Sequence, residues 1–151
     1  MAKRRTQESA PVSIQERNKE IVRRFYAEVM GSGDLDALHE LMHPDFVDHG
    51  ETLFGSPQGR DTLEMGIGYM HNLFEDFNVF LEDMIADGDI VGVRGTMRCR
   101  NTGAWLGAQA SGNNLEWKGL AIFRIEDGKI KERWFNSDSM NIVIQMGVVT
   151  V

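Results

Sequence analysis

Along this chain the apolar spacing changes near residue 78, from the period of a helix to the period of a strand. That single switch constrains the fold more than any other feature, because the two periods bury different sets of side chains. Before it, Ser13 is placed as an N-cap with Glu16 three residues later, a capping-box pair. Ile21, Val22, Phe25 and Val29 then recur at helical spacing and predict a helix over 14–30, stopped by Gly31 and Gly33. Asp34 caps a short second helix through Leu35, Leu38, Leu41 and Met42, which Pro44 ends. Residues 46–49 read as a brief extended stretch, followed by a loop containing Gly50, Gly55, Pro57 and Gly59. A third helix is expected over 60–74, with Leu63, Ile67, Met70 and Phe74 on one face.

After the switch the chain reads as strands over 78–86, 90–100, 115–125 and 130–138. Asp87-Gly88-Asp89 and Asp127-Gly128 mark two hairpin turns, since Asp-Gly supplies positive φ at little cost. A loop of glycine and small residues covers 101–113, and the apolar tail 140–146 suits a closing helix. Helices first and a meander of long antiparallel strands second is the pattern of an α+β fold, with helices packed on one face of a curved sheet.

The chain's 151 residues suit one domain, taken as 14–151, with 1–13 as a flexible polar arm. That length buries a sizeable core without disulfides or metal. Hydrophobic residues at 42% and charged residues at 26% indicate a globular, soluble chain. A net charge of −7 argues against nucleic acid as a partner, because such binders concentrate basic charge on one surface. The lone Cys99 fits a reducing cytoplasm and reads as a small core residue. No apolar run spans a bilayer, so no membrane partner is expected, and Lys3, Arg4 and Arg5 are not followed by the apolar stretch of a secretory signal.

Residues two apart on a strand share a face. On the last strand Ile130, Glu132, Trp134, Asn136 and Asp138 fall on one side, and Lys131, Arg133 and Phe135 on the other. On the strand before it Trp117, Gly119, Ala121 and Phe123 share a side, with small residues between two aromatics. If the Trp117 and Trp134 sides both point inward, they enclose an apolar pocket with aromatic walls and a polar end at Asn136 and Asp138. Trp105, among the glycines of the long loop, is then a candidate lid or oligomer contact, and Met70 and Ile67 a helical wall. Each polar candidate also has a structural reading. Asp138 suits the cap of the closing helix, His49 an ordinary loop, Asn136 a sheet end. His39 and His43 stand four apart, but Pro44 follows at once and no carboxylate pattern completes a metal site, so no metal is expected. The Lys131, Arg133 and Phe135 side is left for a homodimer, with a tetramer also open.

Four stretches together resemble the SnoaL-like polyketide cyclases of the nuclear-transport-factor-like, ketosteroid-isomerase-like superfamily. They are Val22-Arg23-Arg24-Phe25-Tyr26 leading to Gly33-Asp34-Leu35-Asp36-Ala37-Leu38, then 43–49, then the hairpin 123–130, then 134–138 with Gln145-Met146-Gly147 following. The resemblance implies a cone-shaped α+β barrel, a homo-oligomer and a cofactor-free acid–base reaction that closes a ring by intramolecular aldol condensation. It carries the acid/base aspartate onto Asp138 and a pocket histidine onto His49. The chain departs from the family at 120–123, where Leu-Ala-Ile-Phe stands in place of a strand bearing a histidine. The expected activity is therefore a cyclase or isomerase on an apolar carbonyl metabolite. Epoxide or ester hydrolysis, or hydration, in the same pocket is one alternative, and a non-catalytic small-molecule binder is the other.

Overall fold

The computed structural model describes residues 10–50 and 58–151. The expected arm at 1–13 lies largely outside the described residues, as does most of the loop before the third helix.

Ser13 Oγ accepts from the Glu16 amide at 3.2 Å and opens α1 (Ile14–Arg24). The helix does not continue as α to residue 30. It widens into a π-helical segment over Phe25–Gly31. Phe25, Tyr26 and Val29 are buried there, and with Val22 they keep the i, i+3, i+4, i+7 stripe of an amphipathic helix. Gly33 then takes φ +68°, and Asp34 caps α2 (Leu35–Leu41) by accepting from the Ala37 amide. Met42, expected as helical, is extended, because its backbone pairs with Ile130 to begin β1 (Met42–Asp48). α3 (Arg60–Leu73) leads directly into β2 (Phe74–Asp87), so Phe74 is a strand residue rather than the last helical one. β3 (Ile90–Asn101), β4 (Asn114–Glu126), β5 (Lys129–Ser137) and α4 (Ser139–Gln145) follow.

The five strands form one mixed, curved sheet in the order β1-β5-β4-β3-β2, with β1 parallel to β5 and the other pairs antiparallel. The β4–β5 turn uses positive φ at both Asp127 (52°) and Gly128 (70°), as a two-residue primed turn requires. The helices cover the concave face, where two apolar clusters form. One joins Phe25, Tyr26, Leu38, Phe46, Ile67 and Phe123, and the other joins Phe74, Phe77, Met97, Cys99, Trp117 and Met146. Phe135, Met30 and Val79 touch both.

The Gly-rich loop is tied down by one side chain. Asn101, fully buried, donates to the Leu73 and Gly103 carbonyls and accepts from the amide and hydroxyl of Ser111. Gly103 lies so close to α3 that a Cβ there would meet the Asn72 carbonyl oxygen at 2.4 Å. The loop therefore packs on the end of α3 and brings Trp105 onto the second cluster.

Candidate functional site

The register of β5 decides which side chains face inward. Ile125 pairs with Ile130, but Arg124 pairs with Glu132, so Lys131 is an extra residue in β5. A bulge of this kind resets the alternation beyond it. Ile130 stays inward and fully buried, yet Arg133 and Phe135 also turn inward, while Glu132, Trp134 and Asn136 turn to the convex face. The expectation that Trp134 and Trp117 share a side is therefore corrected. Trp134 stands opposite Ile122 and Asn136 opposite Leu120, both on the convex face. The expected dimer surface is corrected with it, since Arg133 is buried.

The inner face of β4 and β5 thus carries three opposed pairs, Phe123 with Arg133, Ala121 with Phe135, and Gly119 with Ser137. The room left by Gly119 is already taken: a Cβ there would meet the Phe135 ring at 2.9 Å and the Met97 methyl at 3.1 Å. Phe25, Tyr26 and Phe123 pack edge to face, with centroids 5.3–5.7 Å apart. Into this apolar floor comes one ion pair. Asp48, from the end of β1, receives both Nε (3.3 Å) and Nη2 of Arg133, and its Oδ1 also accepts from the Gly50 amide at 3.0 Å. Relative exposure is only 6% at Asp48 and 9% at Arg133. The guanidinium lies 5.7 Å from the Phe25 centroid and 5.5 Å from that of Phe135. Burial pushes the Tyr26 phenol up to about 12, the Arg133 charge opposing this and Asp48 reinforcing it. The hydroxyl is therefore a proton donor across the neutral range.

The convex face holds a second polar network. The His49 ring stacks on Trp134 with centroids 4.9 Å apart and planes 10° apart, and its Nε2 lies 3.1 Å from Glu132. Arg124 donates to Glu132 and to Asp89, each at 2.9 Å, and sits 5.9 Å from the Trp134 ring. The His49 hydrogen bond, aided by Arg124, holds the Glu132 carboxyl below its ordinary range. His49 and Asp48 are neighbours in sequence, but β1 turns them to opposite faces. Nearby, Ile85, Gly92, Leu120 and Ile122 line an open apolar groove of about 290 Å³, flanked by Asp83 and Arg94.

Asp138 is exposed. Its amide donates to the Lys118 carbonyl, continuing the sheet, and its Oδ1 accepts from Asn141 at 3.2 Å to cap α4. Trp117, Trp105 and Met70 gather at the second cluster; Phe123 and Ile67 belong to the first. His39 and His43 do not act together, for His39 pairs with Glu64 at 3.1 Å and His43 with Glu126 at 3.7 Å. His43, Glu126 and Asp127 bring potential ligand atoms close, but the Lys131 ammonium lies 3.7 Å from Glu126 and already supplies the cation there. Among the described residues no helix is long and apolar enough to cross a membrane.

The inner-face residues that sequence reasoning missed are Tyr26, Asp48, Arg133 and Phe135. Phe46 and Asp48, two apart, already marked Asp48 as inward. Nothing local marks the bulge at Lys131.

The fold is similar to those of AclR from Streptomyces galilaeus (TM-score 0.80, 20% identity, covering 91% of this chain and 85% of that one) and TsrD from Streptomyces laurentii (0.78, 24%, 92% and 100%). It is also similar to that of IdmH from Streptomyces antibioticus (0.76, 28%, 86% and 98%). No curated protein matches the chain. A sequence profile of the SnoaL-like polyketide cyclases matches residues 20–146, which span both halves of the inner face and the whole sheet. The chain belongs to the SnoaL-like polyketide cyclase family.

Proposed function

We propose that this protein is a cofactor-free enzyme that moves protons on an apolar, carbonyl-bearing small molecule, as a cyclase or isomerase. The observation that carries the reading is the polar trio Tyr26, Asp48 and Arg133 at one end of an otherwise aromatic inner face. A buried ion pair is a doubtful source of stability, since desolvation offsets its attraction. A fixed cation beside a protonated phenol is instead well suited to an oxygen that gains charge. Asp48 holds the guanidinium in place. In a ring closure a base takes the proton from carbon next to one carbonyl. That carbon attacks a second carbonyl carbon, whose oxygen receives the electron pair and then a proton. Tyr26 and Arg133 are proposed to stabilise the charged oxygen. Trp117, Phe123, Trp105, Met70 and Ile67 are proposed to wall the ligand. Trp134 and Asn136, on the other face, take no part.

The resemblance supplies Asp138 as the proposed acid/base; His49, which it would also bring to the pocket, stacks on Trp134 on the convex face and is given no part in this reading. Asp138's present engagement with Asn141 favours the rival reading, a non-catalytic binder using the same inner face. The homo-oligomer proposal moves to the convex groove, where Leu120 and Ile122 are exposed among charges of both signs (Asp83, Arg94, Arg124, Glu132), a surface suited to a second copy of the chain. A cytoplasmic setting stays with the proposal through the unpaired Cys99.

The test is a screen of polyketide esters, ketosteroids and small epoxides by thermal shift and turnover on wild type, Tyr26→Phe and Asp138→Asn. A bound ligand raises the melting temperature by mass action. The reading expects a polyketide ester or ketosteroid to shift all three, with turnover lost in Asp138→Asn and reduced about 10²-fold or more in Tyr26→Phe. Binding with no turnover by wild type would leave the binder. Full turnover by both variants would remove Tyr26 and Asp138 from the mechanism.

A further inference from the structure

The closing helix is held unlike the others. α1, the π-helical segment, α2 and α3 each bury residues of their own, whereas none of the seven residues of α4 is buried. It stands where a strand would otherwise be. β5 pairs with β4 from Gly119 to Glu126, but β4 begins at Asn114, so among the described residues no strand continues the sheet beside 114–118. Two groups of the C-terminal segment stand in for one. The Asp138 amide donates to the Lys118 carbonyl. The Gln145 side-chain amide clamps Glu116, accepting from its backbone N–H at 3.0 Å and donating to its carbonyl at 2.7 Å. Asn141 Oδ1 accepts from the same Gln145 nitrogen at 2.8 Å and orients the clamp. Just past the helix Met146, only 4% exposed, joins the cluster that holds Met97, Cys99, Leu115 and Trp117, and Ile142 and Val148 pack against that cluster. Gln145 also borders an open hollow of about 370 Å³ shared with Arg98, Arg100 and Glu116, so water competes for the clamp.

We infer that α4 and Met146 form a gate that opens by undocking from β4, with Gln145 as its latch. A helix this short is not stable alone in water, so once the clamp on Glu116 lets go the segment melts. Two consequences come together. Leu115, Trp117 and Cys99 lose their cover, which gives an apolar molecule a way into an interior that is close-packed while the gate is shut. Asp138 loses Asn141 as a capping partner, so its carboxylate is freed in the same step. The inference rests on the proposed function for what enters and for the use made of Asp138; the opening itself is a property of the chain alone. Weakly anchored segments open well below the cost of global unfolding, and hydrogen exchange reads such openings. Modification of a group that they uncover reads them as well.

Cys99 is the sole cysteine and serves as the probe. Its modification by a thiol-specific disulfide reagent is followed against urea for wild type and Gln145→Ala, beside urea unfolding of each. The slow native rate of wild type is expected to be nearly flat at low urea and to climb only where global unfolding takes over, because a small segment exposes little surface when it opens. Gln145→Ala removes both hydrogen bonds to Glu116 and is expected to raise the flat part about 10-fold or more, still with weak urea dependence. Hydrogen exchange of wild type needs no variant. The amides of Glu116, Met146 and Val148 should exchange through one opening of the same weak urea dependence, while those in the middle of β3 and β4 wait for global unfolding. Cys99 rates that carry the full urea dependence of global unfolding in both proteins overturn the gate. A flat rate that Gln145→Ala leaves unchanged overturns the latch and assigns the opening to another element. Either result leaves Tyr26 and Arg133 in their proposed roles, whereas a ligand screen without a hit removes those roles and leaves the gate.

Discussion

The Asp48–Arg133 pair gives the sharpest energetic prediction. Asp48→Leu removes two charge-assisted hydrogen bonds and leaves a guanidinium enclosed by Phe25 and Phe135 with no counter-charge. With so little of either side chain exposed, solvent screens the pair weakly. Breaking a buried pair by deleting one partner costs about 3–5 kcal/mol, whereas replacing both partners by apolar residues of similar volume is often neutral. Asp48→Leu and Arg133→Met should therefore each destabilise by that amount, and Asp48→Leu/Arg133→Met by far less than their sum. For a domain of this size about 3–5 kcal/mol corresponds to a fall in Tm of roughly 6–20 °C. Urea unfolding followed by tryptophan fluorescence gives each value, and the double-mutant cycle isolates the coupling. Single variants that each cost under about 1 kcal/mol and add linearly would refute the reasoning, because the pair would then behave as a surface one.

Three further outcomes follow. Ultraviolet titration of wild type minus Tyr26→Phe should show the Tyr26 phenol ionising only near 12, above its reference value of about 10. The folded state then holds that proton more tightly than the unfolded state, so its contribution to stability is complete below about pH 10 and is lost as pH rises toward 12; Tyr26→Phe should flatten that loss, and an unchanged slope would contradict it. Burial pushes the Cys99 thiol up to about 12, so a thiol-specific disulfide reagent at pH 8 should react slowly with native protein and at once on unfolding; rapid native reaction would show an open core. Deleting Lys131 removes the extra residue and sets Glu132 directly after Ile130, so regular alternation keeps Glu132 and Trp134 outward and Arg133 and Phe135 inward, and thermal stability should stay close to that of Lys131→Ala; a loss of about 3 kcal/mol or more beyond Lys131→Ala, the cost of burying unpaired charge, would place the bulge elsewhere.

Much of the fold is legible because its signals are local. The caps at Ser13 and Asp34 read directly from residue type, and the Asp-Gly turns fix two hairpins. The alternation in β4 places Trp117, Ala121 and Phe123 inward without ambiguity. The site was less legible, since each element that builds it depends on something distant. The π-helical widening over Phe25–Gly31 leaves no mark in the apolar spacing, because Val22, Phe25, Tyr26 and Val29 already fit an ordinary helical stripe, and the packing of both rings on Phe123 comes from a strand about a hundred residues away in sequence. Lys131 is one residue too many only relative to β4, so strand periodicity alone assigns Trp134 and Phe135 to the wrong faces. Asp48 finds Arg133 across 85 residues. Asp138 illustrates the reverse: the capping reading and the family reading both fit the sequence, and the structure makes the cap explicit.

The most direct measurement is a crystal structure of the protein soaked with a ketosteroid, a flat ketone of the class the inner-face reading expects it to hold. The account predicts the ring system between Trp117, Phe135 and Met70, with its carbonyl oxygen within hydrogen-bond distance of Tyr26 or Arg133. Density for the ketone in the convex groove beside Leu120 and Ile122, with the inner face unchanged, would contradict it.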